Sequence, residues 1–494
     1  MFSVETPPQI KEVILMKLTK RILAAACSLT LAASMAACGS SSDSSSGSSS
    51  AAPAASLTDS QKEKIADLQS LLPDEKLENT TIKWMAHYDL NPKDGQVVDP
   101  GLQLFKDKYD GKIQFIQTTW DDRYTALAKA VMSNDSPDFF PADDMDAFPK
   151  GAIKAMFEPI DDYIDLDSEL WTPSKSVCEA GYFNGGHYIA GIDARPQYVC
   201  IYNRSTVEDA GFDDPAELFA EDKWTWSVFT EMCEEFTNAD EDKYALDGYW
   251  YGKALNDTSG KPLIGIENGK LVNNMADPAI TKVQDMMYDL AKNNVVFPRC
   301  DNNWSTRGDG STGEGLGSGL TLFIPVGTWA IEGPTESTKI FGDVEGGDVM
   351  FVPMPRIDDG DGKYYVSAGI HGFLLCKNAP NPKGWAAYMN CLQVSKQNAS
   401  DIGDEQLKDE YKWTDEMIEM RHTVYDLAAE NPVFDYQEGV TPELSTLMMT
   451  VNQATMVTGG GATSWSECVA SNKTAVDYLL DECNSNISDV PTDK

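Results

Sequence analysis

The chain has 494 residues, with 39 lysines and arginines against 78 aspartates and glutamates, a formal net charge of −39 at pH 7. That balance excludes nucleic acid as a partner, because phosphate binding needs the opposite sign, and it excludes adsorption to anionic lipid as a means of membrane attachment. The length exceeds what one hydrophobic core serves, so two lobes are expected, and 11 tryptophans are plentiful for so hydrophilic a chain.

Lys17, Lys20 and Arg21 precede an Ala-rich apolar run from Ile22 to Ala37. The run is about 16 residues long, short of the roughly 20 a membrane span needs. Its small-residue ending is that of a secretory signal. Met35-Ala36-Ala37-Cys38 resembles the bacterial lipobox, with Met35 where Leu is usual, so Cys38 is the expected lipidation site. Cys27 is a weaker rival that would cut the apolar run short. Met1–Leu15, with Glu5, Glu12 and two prolines, is unlike a signal, and translation is expected to begin at Met16. Residues 1–37 thus read as signal peptide and 38–60 as a Ser/Gly/Ala-rich tether that cannot build a core.

Beyond the tether, Leu57–Leu72 is predicted as an amphipathic helix closed by Pro73. Thr80–Ala86 reads as a strand, Leu102–Tyr109 as a helix, Lys112–Ile116 as an alternating strand, Asp122–Met132 as a helix and Pro137–Phe140 as a buried strand. This order implies a parallel sheet with helices on its faces. Ligands of such sheets bind beyond the carboxyl ends of the strands. That rule makes Tyr88 and Asp89, Trp120 and Asp121, and Asp143 and Asp144 candidate ligand contacts, with solvated loop carboxylates as the plainer reading of each aspartate. Residues 181–191 form a predicted hairpin with an Asn-Gly turn. An apolar strand from Tyr198 to Asn203 follows, and Trp224-Thr225-Trp226-Ser227 starts a helix that runs through Phe236.

Several of these segments, in order, resemble the extracellular solute-binding protein family 1, the group that contains maltose-binding protein. Tyr182-Phe183-Asn184-Gly185 with Ile201-Tyr202-Asn203-Arg204 is similar to the family's crossover. Ala210-Gly211-Phe212 with Trp226 and Phe229, Gly327-Thr328-Trp329, Met350–Pro355 and Gly369–Phe373 match later segments. The resemblance covers roughly residues 80–485. It implies an α/β, two-lobed periplasmic-binding-protein-like fold of type II, its lobes joined by a multi-segment hinge. Residues 61–193 and 368–400 would form lobe one, and 194–367 and 401–494 lobe two. The crossings are expected near Ile192–Gln197, Tyr364–Gly369 and Ser395–Glu410.

The resemblance also implies a function: capture of a small molecule, an oligosaccharide best fitting the aromatic supply, for the permease subunits of an ABC importer. Lobe closure is the implied mechanism. The protein would act as a monomer, lipid-anchored on the extracytoplasmic face of the cell membrane. Trp329 holds the family's ligand-stacking position, and Trp250 lies where the family places a cleft aromatic; both have the alternative of a core role. Trp304 sits in a polar loop where core burial is less natural. Arg195, at the first crossing, reads equally as a ligand contact or a structural ion pair, and His371 as a cleft residue or a satisfied buried histidine. Trp84, inside a strand, reads as core.

Eight cysteines follow Cys38, without CxxC spacing, and either disulfides or buried thiols are compatible with them. His87, His187, His371 and His422 stand far apart with no zinc spacing. The Gly308–Gly319 run lacks the lysine of a phosphate loop, Asp240–Asp242 and Asp358–Asp361 lack the full EF-hand pattern, and no nucleophile elbow occurs. No cofactor, metal or catalytic residue is therefore expected. The alternatives are a secreted glycan-active enzyme, needing two opposed carboxylates, or a ligand-sensing lipoprotein that serves a membrane receptor.

Overall fold

The computed structural model describes residues 57–92, 97–142, 145–248, 250–297, 314–333, 338–455 and 462–485. Cys38, Asp143, Asp144 and Trp304 lie outside them. The chain enters through α1 (Asp59–Leu68), where Thr58 and Gln61 cap each other's backbone N–H groups. Strands β1 (Thr81–Ala86), β2 (Lys112–Gln117) and β3 (Phe139–Pro141) alternate with α2 (Pro100–Tyr109) and α3 (Arg123–Met132). α2 begins where its sequence demands: Asp99 accepts the Leu102 N–H and Pro100 occupies the first turn. β1 pairs in parallel with β2 from Thr81↔Lys112 to Ala86↔Gln117, and with β3 on its other edge.

The expected hairpin forms from β4 (Tyr182–Phe183) and β5 (Gly186–His187), its Asn184-Gly185 turn taking positive φ at both residues. β6 (Ile189–Pro196) stays in the first sheet, and after Gln197 and Tyr198 the chain passes into β7 (Val199–Asn203) of a second. The second sheet is completed by β8 (Tyr244–Leu246), which follows α4 (Trp226–Phe236), and by two later strands. Between them lie α5 (Tyr251–Asp257), the hairpin of β9 (Ile264–Glu267) and β10 (Lys270–Asn273), and α6 (Pro278–Lys292). β11 (Thr321–Val326) runs parallel to β8 and antiparallel to β7, and β12 (Val349–Val352) closes the order β12-β7-β11-β8.

The ten-residue β13 (Val366–Leu375) returns to the first sheet. It carries β6 along one edge, and on the other it meets β14 (Pro432–Val433) near its start and β3 near its end. α7 (Pro382–Asn398), α8 (Ser400–Tyr411) and α9 (Asp415–Glu430) lie between β13 and β14, and α10 (Pro442–Asn452) and α11 (Trp465–Asn484) follow.

Strand alternation sorts the first sheet into two cores, because successive side chains leave opposite faces. Trp84, Phe139 and Phe373 pack with Phe105, Trp385 and Tyr388 on one side. Met85, Phe140 and Leu374 pack on the other with Ile264 and Leu271 of the β9–β10 hairpin and with Trp465, Val476 and Leu480 of α11. A third core, around Ile201, Trp224, Phe323 and Phe351, fills the second lobe. The tail expected with the second lobe therefore divides. Met417, Ile418 and Met420 of α9 join the second lobe's core, while the apolar stripe of α11 joins the core behind the first sheet, packing on β10, α10 and α6. Cys178, Cys200, Cys233, Cys376, Cys391, Cys468 and Cys483 are buried free thiols.

Candidate functional site

The tryptophans separate into two populations. Trp84, Trp171, Trp224, Trp226, Trp385, Trp413 and Trp465 are buried. Among the described residues Trp120, Trp250 and Trp329 are not, and each follows the carboxyl end of a strand. Trp120 follows β2, Trp250 follows β8 and Trp329 follows β11. Two aromatic walls result, one on each lobe.

On the first lobe, the His87 ring stands nearly perpendicular to Tyr88 and to Trp120, each with a centroid distance of 4.9 Å. Tyr88 is anchored through its carbonyl, which accepts the indole N–H of the core residue Trp84 at 2.9 Å. The Arg123 guanidinium lies 3.4 Å from the centre of the Trp120 ring. It is held there by hydrogen bonds to the Trp120 carbonyl and the Asp146 carboxylate. One face of Trp120 is thus occupied, while 45% of the residue remains exposed. Asp121 is exposed. Asp89 is exposed too, but its Oδ1 accepts both the backbone N–H and the Nδ2 of Asn91, each at 2.9 Å. Asp89 therefore clips its own loop.

On the second lobe, Trp329 sits in a single 3-10 turn, Thr328–Ala330, and is 49% exposed. Its ring meets Trp250 edge-on at 5.7 Å and 88°. Trp250 in turn lies nearly parallel to Tyr198, 6.4 Å away. Gly327 permits this arrangement: a Cβ there would come within 2.4 Å of the Trp329 ring and 2.9 Å of the Gln197 carbonyl. The Gly-x-Trp spacing is thus a packing requirement. Behind the wall, Lys253 Nζ lies 3.3 Å from Gln197 Oε1 and 5.9 Å from the Tyr198 ring centre. The Ser367 hydroxyl bonds the same Gln197 oxygen at 3.4 Å.

The crossing strands hold the remaining candidates. His371 is the register partner of Asp193, and their side chains approach to 3.2 Å. Lys396 reaches the other Asp193 oxygen at 2.6 Å. Burial works against the Asp193 carboxylate, but the His371 and Lys396 charges outweigh it and hold it well below the usual carboxylate range. His371 thus faces a carboxylate across the strand pair. Arg195, opposite Gly369 in register, is exposed.

The structure accordingly groups Tyr88 with Trp120 and Trp250 with Trp329, and it places His371 and Arg195 on the strands between the lobes. Sequence reasoning missed His87, Arg123, Tyr198, Gln197 and Lys253. Tyr198, two residues past the strand-breaking Pro196, carried the one usable signal. Flat indole faces flanked by amide, ammonium and guanidinium donors suit a ligand with both C–H patches and hydroxyls. Among the described residues no cluster of His, Cys, Asp or Glu can hold a metal.

Residues 91–399 match the model of the family described as bacterial extracellular solute-binding protein. The chain belongs to this family. This solute-binding protein shares its two-lobed α/β fold with solved structures of low identity. The sugar-binding protein MalE of Xanthomonas citri is 14% identical with a TM-score of 0.60, over 82% of this chain and 98% of that one. The galacto-N-biose-/lacto-N-biose I-binding protein of Bifidobacterium longum, in complex with lacto-N-biose, is 14% identical with a TM-score of 0.59, over 83% and 99%. An extracellular solute-binding protein of Staphylococcus aureus in complex with maltose is 13% identical with a TM-score of 0.55, over 83% and 98%. No curated protein matches the sequence. As a member of a binding-protein family, the chain is not an enzyme.

Proposed function

We propose that this solute-binding protein captures an oligosaccharide between its two aromatic walls and presents it to the permease subunits of an ABC importer, held at the extracytoplasmic face of the membrane by a lipid on Cys38. The observation that carries the sugar reading is the partition of the tryptophans: among the described residues, those not buried follow strand ends, where ligands of such sheets bind. Indole faces cover sugar C–H patches. Several hydroxyl hydrogen bonds, each worth about 0.5–1.5 kcal/mol, must then act together. The structural neighbours include proteins solved with lacto-N-biose and with maltose. A signal-like segment, the Cys38 motif and the tether that follows support the anchored location.

A thermal-shift panel of mono-, di- and oligosaccharides tests the reading. A ligand present at about 100 times its Kd stabilises the folded chain by about 2.7 kcal/mol and raises Tm by several degrees. At least one oligosaccharide is expected to do so. A panel in which amino acids or peptides shift Tm and no sugar does overturns it.

A further inference from the structure

We propose that Arg123, held by Asp146, is a positioning residue: it fixes the Trp120 indole before a ligand arrives and leaves one set face of the ring for the sugar. The proposal rests on the reading of Trp120 as a sugar contact made above, but the contacts that hold the ring belong to the fold itself.

The arrangement begins in the local sequence. Arg123 opens α3, and the turn before it is closed by Thr119. The Thr119 carbonyl accepts the Arg123 N–H at 3.0 Å, and its hydroxyl accepts the Asp122 N–H at 3.1 Å. Such a turn brings residues three apart onto one side, as it does Trp120 and Arg123. The guanidinium carbon lies 3.4 Å from the Trp120 ring centre, in stacking contact. Elsewhere among the described residues, cations over aromatic rings stand 4.6 Å or more from their centres. Hydrogen bonds to the Trp120 carbonyl and to the Asp146 carboxylate then fix the guanidinium.

Three strand ends meet at this ring. β1 lies between β2 and β3 in the first sheet. Trp120 and Arg123 follow β2, Asp146 follows β3, and His87, nearly perpendicular to Trp120, follows β1. The Arg123–Asp146 pair therefore ties together the loops on either side of the β1 end. Arg123 is only 6% exposed, the one buried arginine among the described residues, whereas Trp120 is 45% exposed. The arginine is thus placed to act on a ligand through the ring it carries. An indole left loose on a loop would lose its freedom when a sugar stacked on it. A ring already fixed has less to lose, and the saving appears as affinity. With the guanidinium on one face, a sugar has only the other to stack on. A plain ion pair would need the charge alone, but this contact needs the flat fork of arginine.

The test is a double-mutant cycle between Arg123→Met and Trp120→Ala, read by calorimetry with maltotetraose, beside a spectrum taken without ligand. With Trp120 present, Arg123→Met is expected to weaken binding about two- to threefold, the lower end of the cost of ordering one side chain. In the Trp120→Ala background it is expected to change affinity by less than about 1.5-fold, because the ring it acts through is gone. In protein labelled with fluorotryptophan, the fluorine resonance that Trp120→Ala removes reports this ring. Arg123→Met is expected to move that resonance in the absence of ligand. Arg123→Lys keeps a charge for Asp146 without the planar fork, so it is expected to restore Tm but not affinity. It also carries the cycle if Arg123→Met fails to fold. Equal losses in both backgrounds, an unmoved resonance, or full recovery of affinity by Arg123→Lys overturns the proposal and leaves a structural ion pair. Failure of maltotetraose to bind counts against the sugar reading alone, and the ligand-free resonance then decides whether Arg123 fixes the ring.

Discussion

The two aromatic walls are built from similar residues and offer different surfaces. On the first lobe the indole of Trp120 is already engaged: Arg123 lies on one face and His87 packs perpendicular to it. What it presents is half an indole and a set of polar edges. On the second lobe Trp329 and Trp250 stand perpendicular, and 49% of Trp329 is exposed with no cation over its ring among the described residues. The cation there, Lys253, sits behind the wall against Tyr198. If the proposed function holds, this contrast would put stacking chiefly on the second lobe and hydroxyl recognition chiefly on the first. A ligand would dock on the second lobe's wall, and closure would add the first lobe's donors.

The largest effect that can break this assignment is at Trp329. Trp329→Ala is expected to weaken oligosaccharide binding at least tenfold, about 1.4 kcal/mol or more, measured by calorimetry. Its exposure predicts little change in Tm without ligand. Unchanged affinity would remove Trp329 from the site and with it the stacking role of this wall. Trp120→Ala is the sharper comparison, because the residue is almost equally exposed but has one face already covered. A loss of about threefold is expected, in the range of a single ring contact of about 0.5–1 kcal/mol. A loss that equals or exceeds the Trp329→Ala loss would reverse the roles of the two lobes.

Much of this arrangement is legible in the residues themselves. β1, β2 and α4 follow from alternation and apolar period to within a residue or two, and the strand-end rule points to Tyr88 and Trp120. The Asn184-Gly185 turn is equally plain. What escapes is whatever depends on long-range partners. Nothing local in the 465–484 segment says that its apolar stripe packs on the β9–β10 hairpin and its neighbouring helices, since any apolar face would satisfy it. His371 was ambiguous because its partner is set by the β6–β13 register, which places Asp193 directly opposite.

Asp89 gives the smallest expected effect and the cleanest separation of the two readings a strand-end aspartate allows. Its position beyond β1 predicts a ligand contact. Its geometry shows a carboxylate that accepts two hydrogen bonds from Asn91 within the same loop. A side chain used in this way holds the loop that carries Tyr88 and has little freedom to turn toward a sugar. Asp89→Ala should therefore lower Tm modestly, in keeping with about 1 kcal/mol for lost turn hydrogen bonds, and change affinity less than twofold. Asp89→Asn retains the accepting oxygen and should recover most of the Tm. If instead Asp89→Ala costs tenfold in affinity with Tm unchanged, the carboxylate faces the ligand. The first lobe's wall would then be a charged recognition surface rather than an aromatic one.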